Sequence, residues 1–223
     1  MTIDDARALL YQAGLNLVNE GLVARTWGNI SVRLDEKRFL ITPSGRTYEA
    51  LTPQEMVVVD IESLEHEGDL KPSSEKGMHA EVYKMRPEVQ AVVHTHQLQA
   101  STVAAARSEV TGLSKEHAEC LGESIRCAAY ALPGTKKLKL AAASALEGGR
   151  NAALLANHGA LCIGATMDDA FIVAKTLEDA CAEYIRSSYA NKTQESVPQD
   201  AQDATRAMHE SYLKTIASPG GAA

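Results

Sequence analysis

From residue 3 to residue 18 the apolar positions Ile3, Ala6, Leu9, Leu10, Ala13, Leu17 and Val18 recur at spacings of three and four, the stripe of an amphipathic helix with one face for a core. Gly21 stops it. After the turn Gly28-Asn29, residues 30–34 alternate as a short strand, Asp35-Glu36-Lys37 reverses the chain, and Arg38-Phe39-Leu40-Ile41 returns as the second arm of a hairpin. Thr42-Pro43-Ser44-Gly45 breaks that arm with a tight loop. Residues 56–60 predict a further strand and 65–71 a polar loop. From Ser73 or Ser74 the pattern starts a helix, with serine as cap and Glu75 in the first turn, running to Met85 ahead of Pro87. Glu75 and His79, four positions apart, then share one face of that helix.

Residues 89–94 are an apolar run read as a central strand, and 98–107 are an alanine-rich helix, whereas 111–123 show no clear period. Residues 124–130 read as a strand, Pro133-Gly134 as a turn, and 135–146 as a helix capped by Thr135 and ended at Gly148-Gly149. Two short strands, 152–156 and 160–163, bracket the turn Asn157-His158-Gly159. Residues 168–189 carry the longest helical pattern, 203–216 a last helix, and 218–223 a tail expected to be disordered. With no internal repeat and no linker rich in Pro, Gly or Ser, residues 1–217 read as a single domain, a common length for one α/β or α+β unit.

Composition narrows the function. An apolar content of 45% beside 23% charged residues excludes a disordered or collagen-like chain. The formal net charge of −7 argues against a nucleic-acid partner, which needs a clustered basic face. Any anionic substrate must therefore be held by local donors. Cys120, Cys127, Cys162 and Cys181 have no C-x-x-C spacing and read as reduced thiols of a cytoplasmic protein. No leader pattern and no membrane-spanning run is present, so no membrane partner is expected.

Candidate chemistry gathers around Ala91-Val92-Val93-His94-Thr95-His96. In an extended strand, residues two apart lie on one face about 6.6 Å apart, within reach of a single ion. His158 ends a second apolar run, and Glu75 lies upstream. Three imidazoles and one carboxylate suit Zn²⁺, with Mn²⁺, Co²⁺ or Fe²⁺ open to the same donors. Asn29 after Gly28, Ser44 before Gly45, and Ser73-Ser74 at an expected helix start form a second constellation of polar loops able to cradle an anion. There is no G-x-x-x-x-G-K-[ST] and no G-x-G-x-x-G, which disfavours a nucleotide fold. His66 and His209 read as surface residues, and His79 as packing or support for a ligand. Trp27 reads as packing, placed beside Gly28-Asn29 where it can shape a pocket.

The ordered motifs Gly28-Asn29-Ile30-Ser31, Ile41-Thr42-Pro43-Ser44-Gly45, Pro72-Ser73-Ser74-Glu75, His94-Thr95-His96 and Asn157-His158-Gly159 together resemble the class II aldolase/adducin family over roughly residues 5–190. The resemblance implies a three-layer α/β/α sandwich around a central, mostly antiparallel sheet, and a homotetramer with active sites at subunit interfaces. It implies that His94, His96 and His158 bind zinc, that Glu75 is the catalytic acid/base and can also ligate the metal, and that Asn29, Ser44, Gly45, Ser73 and Ser74 bind a substrate phosphate. The acid/base role is favoured if burial raises the Glu75 pKa toward neutrality.

The activity implied is aldol cleavage of a small ketose 1-phosphate, fuculose- or deoxypentulose-phosphate-like, to dihydroxyacetone phosphate and an aldehyde. The family's 4-epimerases carry Asp at the position of Glu75, so Glu leans toward aldolase. Epimerase, dehydratase and decarboxylase chemistry share the ligands, and an adducin-like interaction module is the alternative of a different class. The family aldolases place a tyrosine from the neighbouring subunit near the aldehyde oxygen. The corresponding residues 111–119 contain none, which leaves Lys115, His117 and, nearer the carboxyl terminus, Tyr212 as candidate proton donors.

Overall fold

The protein is described by a computed structural model over residues 2–23, 27–189, 199, 203 and 206–210. Contacts divide the chain into a unit Met1–Ser187 and a unit Ser188–Ala223. In the second unit, residues 199, 203 and 206–210 are helical. The rest of the expected last helix, Tyr212 and the tail lie outside the described residues.

The first unit begins with α1, Ile3–Asn19, where Thr2 accepts from the Asp5 backbone and the Asp5 carboxylate accepts from the Thr2 backbone, a reciprocal cap that satisfies two helix-end donors. Ala6, Leu10, Ala13 and Leu17 are its buried stripe, and Gly21 leaves it at φ +69°. The strands are β1 (Asn29–Arg33), β2 (Arg38–Ile41), β3 (Val57–Asp60), β4 (Ala91–Thr95), β5 (Arg126–Ala128), β6 (Ala152–Leu155) and β7 (Gly159–Gly164). They form one sheet in the order β3-β2-β1-β4-β7-β6-β5. Every pairing is antiparallel except β5 with β6.

Successive strand side chains point to opposite faces, and both faces are covered. Ile30, Val32, Leu40, Val93, Leu154 and Cys162 join one core with α1, α3 (Leu98–Ala105) and α6 (Met167–Tyr189). Phe39, Ile41, Val92, Leu155 and Leu161 join the other with α2 (Lys76–Met85) and α5 (Lys136–Ala145). The result is the expected three-layer α/β/α sandwich. Residues 30–34 therefore differ from a half-exposed alternating strand: Ile30, Ser31 and Val32 are all buried, because α2 covers the face that alternation assigns to water.

Two further expectations are refined. Residues 111–123, without a readable period, contain α4, Lys115–Leu121, capped by the Ser114 hydroxyl. The helix expected from Ser73 or Ser74 begins at Lys76, with Glu75 itself at the cap position. Ser73 is held back by the loop, its N–H donating to the Thr42 carbonyl and its Oγ accepting from the Glu75 N–H. Thr135 caps α5 as expected, its hydroxyl accepting from the Leu138 N–H.

Candidate metal centre and substrate pocket

β4 sits mid-sheet, and its carboxyl end carries the histidines. On one side His94 pairs with Asn29 of β1, and on the other with Leu161 of β7. The β6–β7 turn brings His158 back over that end, with Asn157 at φ +55°. The turn is pinned to the end of α3: Asn157 N–H donates to the Ala104 carbonyl, and Arg107 Nε donates to Asn157 Oδ1. Gly159 is required next, since a Cβ there would lie 2.3 Å from the Thr95 carbonyl oxygen.

The donor atoms converge. Ligand nitrogens of His94, His96 and His158 all lie within 4.8 Å of one another. His94 Nε2 is 3.1 Å from His96 Nε2 and 3.2 Å from Glu75 Oε2, and His158 Nε2 is 3.4 Å from Glu75 Oε1. Nitrogens bound to one tetrahedral Zn²⁺ at about 2.0–2.1 Å stand about 3.3 Å apart, so these separations match the edges of such a site. His94 Nδ1 is 2.8 Å from the Ala160 carbonyl oxygen, which only an N–H can satisfy. Its proton therefore sits on Nδ1 and its lone pair on Nε2, aimed into the cluster. Glu75 Oε1 is buried with no hydrogen-bond partner among the described residues, which fits a carboxylate oxygen serving as a metal ligand.

Electrostatics agree with ligation. Burial, followed by the charges of His94 and His158, lowers the His96 pKa to about 3. Burial and His94 lower that of His158. Neutral imidazoles are the ligating form. For Glu75 burial does not act alone. Burial pushes its carboxyl up, but in metal-free protein a protonated His94, by hydrogen bond and charge, a protonated His158 and the Asn29 amide outweigh it and hold the group below the usual carboxylate range.

Beside the cluster opens a cavity of about 470 Å³, lined by Trp27, Gly28, Asn29, Pro43, Ser44, Gly45, Ser73, Ser74, Glu75, His96, Pro133, Asn157 and His158. The loops expected to bind phosphate thus meet in space. An isolated bridge between Pro43 and Pro72, with Ser44 N–H donating to the Lys71 carbonyl, zips two of them together. Ser44, Gly45 and Ser74 are exposed, whereas Ser73 is buried and its Oγ is engaged in the loop. The Asn29 side chain is also engaged, donating from Nδ2 to Glu75 Oε2.

Lys115 and His117 do not line this cavity. The Lys115 side chain is 90% exposed beside Glu119, and His117 Nδ1 lies 3.6 Å from Glu183. Pro133 is a wall residue that sequence reading left as a turn. It reaches the site because Gly134, at φ +75°, lets the start of α5 approach the Ser74 carbonyl. Ser31 and Tyr83 were also missed, and the one available signal was a serine inside the apolar stretch Ile30-Ser31-Val32.

Residues 8–185 match the family model of the class II aldolase and adducin N-terminal domain. The chain belongs to that family. A 5-deoxy-D-ribulose 1-phosphate aldolase of Bacillus thuringiensis is 34% identical over 215 residues, which are 95% of this chain and 99% of the relative. A solved L-fuculose 1-phosphate aldolase is 31% identical with a TM-score of 0.79, over 92% of this chain and 96% of that one. A probable L-ribulose-5-phosphate 4-epimerase of Mycoplasma pneumoniae is 39% identical over 128 residues, 56% of this chain and 52% of its own. The full-length relatives bear the names of lyases, and this chain stands with them as an enzyme of the aldolase branch. Class II aldolases depend on a metal ion, and the three histidines are, among the described residues, a group able to hold one.

Acid stability follows from His79 on α2. Burial, with the charge of His94, lowers its pKa from 6.5 to about 3. The unfolded chain therefore binds one more proton than the folded chain between those values, so the contribution is intact above pH 6.5 and lost as pH falls through the window. In chelated protein, urea unfolding from pH 6.5 to 5 should lose about 2 kcal/mol through this group. The His79→Gln variant should lack that component. Equal pH slopes for the two proteins would show that His79 does not titrate in this way.

Proposed function

We propose that the protein is a zinc-dependent aldolase that cleaves a small ketose 1-phosphate to dihydroxyacetone phosphate and an aldehyde. The observation that carries this reading is that one cavity is lined both by Glu75, His96 and His158 of the histidine cluster and by the zipped serine and glycine loops. A cavity of about 470 Å³ with both sets of groups in its wall suits a short substrate that carries a carbonyl and a phosphate. His94, His96 and His158, with Glu75 before substrate enters, would hold a divalent cation, which would supply positive charge for the negative charge that develops on the substrate oxygens.

The chain's own groups do the rest. The Ser44 and Ser74 hydroxyls and the Gly45 backbone receive the phosphate, with no lysine or arginine in the cavity wall among the described residues. Glu75 exchanges the proton at C3. In the cleavage direction the C3–C4 bond breaks, its electron pair passes into the enediolate, the C4 hydroxyl proton leaves as the aldehyde forms, and Glu75 returns a proton to C3. In condensation the ionised carboxylate removes it. In this reading the aldehyde-side proton is handled from a neighbouring copy in a homotetramer, with Lys115, His117 and Tyr212 the residues to substitute. Trp27, 54% exposed on the cavity rim, and Leu132, 63% exposed near it, are the apolar surface such a copy would cover. Burial pushes the Cys127 and Cys162 thiols up and that of Cys181 up to about 12, so they stay protonated and inert, as suits the reducing cytoplasm.

A coupled assay for dihydroxyacetone phosphate tests the reading, run on five- and six-carbon ketose 1-phosphates and their terminal deoxy forms with zinc-loaded and chelated enzyme. Release that requires metal is the expected result. An epimerase would return an inverted ketose without release, and an adducin-like scaffold would purify without stoichiometric metal. Either outcome would sink the aldolase reading.

A further inference from the structure

Behind Glu75 runs a closed chain of hydrogen bonds that the proposed chemistry leaves unused. Asn29 Nδ2 donates to Glu75 Oε2 at 2.9 Å, and Asn29 Oδ1 is 2.6 Å from His79 Nε2. His79 Nδ1 is 2.6 Å from Ser31 Oγ, which is 2.7 Å from the Tyr83 hydroxyl. All five residues are buried, and Ser31 and His79 are wholly inaccessible to water.

The chain has one consistent polarity. A carboxylate only accepts, so Asn29 must turn its NH₂ toward Glu75 and its carbonyl toward His79. The carbonyl only accepts, so His79 carries its proton on Nε2. Its Nδ1 is then an acceptor and takes the Ser31 O–H, which leaves the Ser31 oxygen to accept from the Tyr83 O–H. Any reversal places two acceptors or two donors face to face in a dry interior, at a penalty that water cannot relieve. Four side chains from β1 and α2 thus fix which oxygen of Glu75 is occupied. Oε2 is held, and Oε1, buried with no hydrogen-bond partner, is left on the His158 side.

We propose that His79 is a positioning residue that locks the Asn29 amide so that Glu75 Oε2 is held and Oε1 is the oxygen that gives and takes the proton. This rests on the acid/base role of Glu75 proposed above, and it assigns the Asn29 side chain to Glu75 rather than to the phosphate. His79 touches no reacting atom. Its influence passes through one amide that has two orientations, only one of which is compatible with an ionised carboxylate.

Two measurements test it. In zinc-loaded protein, long-range ¹⁵N–¹H spectra should show His79 as the neutral Nε2–H tautomer, and an Nδ1–H or charged ring would overturn the proposal without reference to activity. In kinetics, His79→Leu should lower kcat roughly 10- to 100-fold with KM within about twofold and zinc content unchanged. His79→Gln, which keeps an N–H for Asn29, should recover most of that loss. Ser31→Ala removes the far donor with little change in volume and serves should His79→Leu fail to fold; it should lower kcat in the same sense. In the Glu75→Gln background, His79→Leu should have no further effect on kcat. An equal fold-loss in both backgrounds would mark a general structural role and overturn the proposal. Full turnover by Glu75→Gln, with the Nε2–H tautomer in place, would instead remove the role of Glu75 while leaving the hydrogen-bond chain intact.

Discussion

Glu75→Gln is expected to lower kcat for ketose 1-phosphate cleavage by about a thousandfold, within the range by which a positioned general acid/base contributes. The amide keeps the shape of the carboxyl group but cannot carry a proton to carbon. Asn29 Nδ2 can still donate to the amide oxygen, so the side chain should stay near its place. The three imidazoles remain, and metal content measured by atomic emission should stay at one per chain. KM should change little, because the phosphate loops are untouched. A kcat within about fivefold of wild type at full metal occupancy would place the proton transfer elsewhere, since no side chain in general acid/base catalysis is expected to contribute so little.

Gly159→Ala is expected to combine the largest stability loss with loss of metal. The added Cβ would stand 2.3 Å from the Thr95 carbonyl oxygen, 3.2 Å from His94 Cε1 and 3.4 Å from His96 Nδ1. The closest of these is backbone in a strand pair, where Thr95 opposes Ala160, and it cannot swing aside as the tip of a long side chain would. Overpacking of this kind costs about 3 kcal/mol, at the upper end for one methyl group. Separating β4 from β7 also displaces the two strand histidines from the turn carrying His158. Zinc affinity, read by competition with a chromophoric chelator, should fall roughly 10- to 100-fold, the scale seen when ligand orientation is disturbed. A variant with wild-type urea midpoint and wild-type zinc affinity would show that the β4–β7 pair yields easily at this point.

Much of the architecture was legible in the residues. The stripe of α1, the hairpin of β1 and β2, the Thr135 cap of α5 and the strand pair around Asn157-His158-Gly159 are local, set by side-chain period and turn chemistry within a few residues. The motifs that carry the resemblance likewise named the residues that line the cavity, because ligand type and turn type are written in single side chains. What the sequence left open depends on which surfaces meet. Backbone hydrogen bonds carry no label, so the neighbours of β4, namely β1 and β7, could not be read from chain order. The alternation of residues 30–34 does not reveal that α2 covers the second face of that strand. Ser73 seemed a helix cap, yet its donors and acceptors are drawn into the loop pairing with Thr42 and Glu75.

The same division holds at the site. The sequence alone determined that three histidines, one glutamate and a set of small polar loops were available, in a chain without a nucleotide-loop motif. The tertiary structure decided which groups act on Glu75: burial by itself raises a carboxyl pKa, and only the fold brings His94, His158 and Asn29 close enough to oppose that rise. It also decided that Ser31, His79 and Tyr83 form one line behind Asn29. The polarity of that line follows from closure, since each donor is fixed by the next acceptor, and closure exists only when residues distant in the chain share a dry interior.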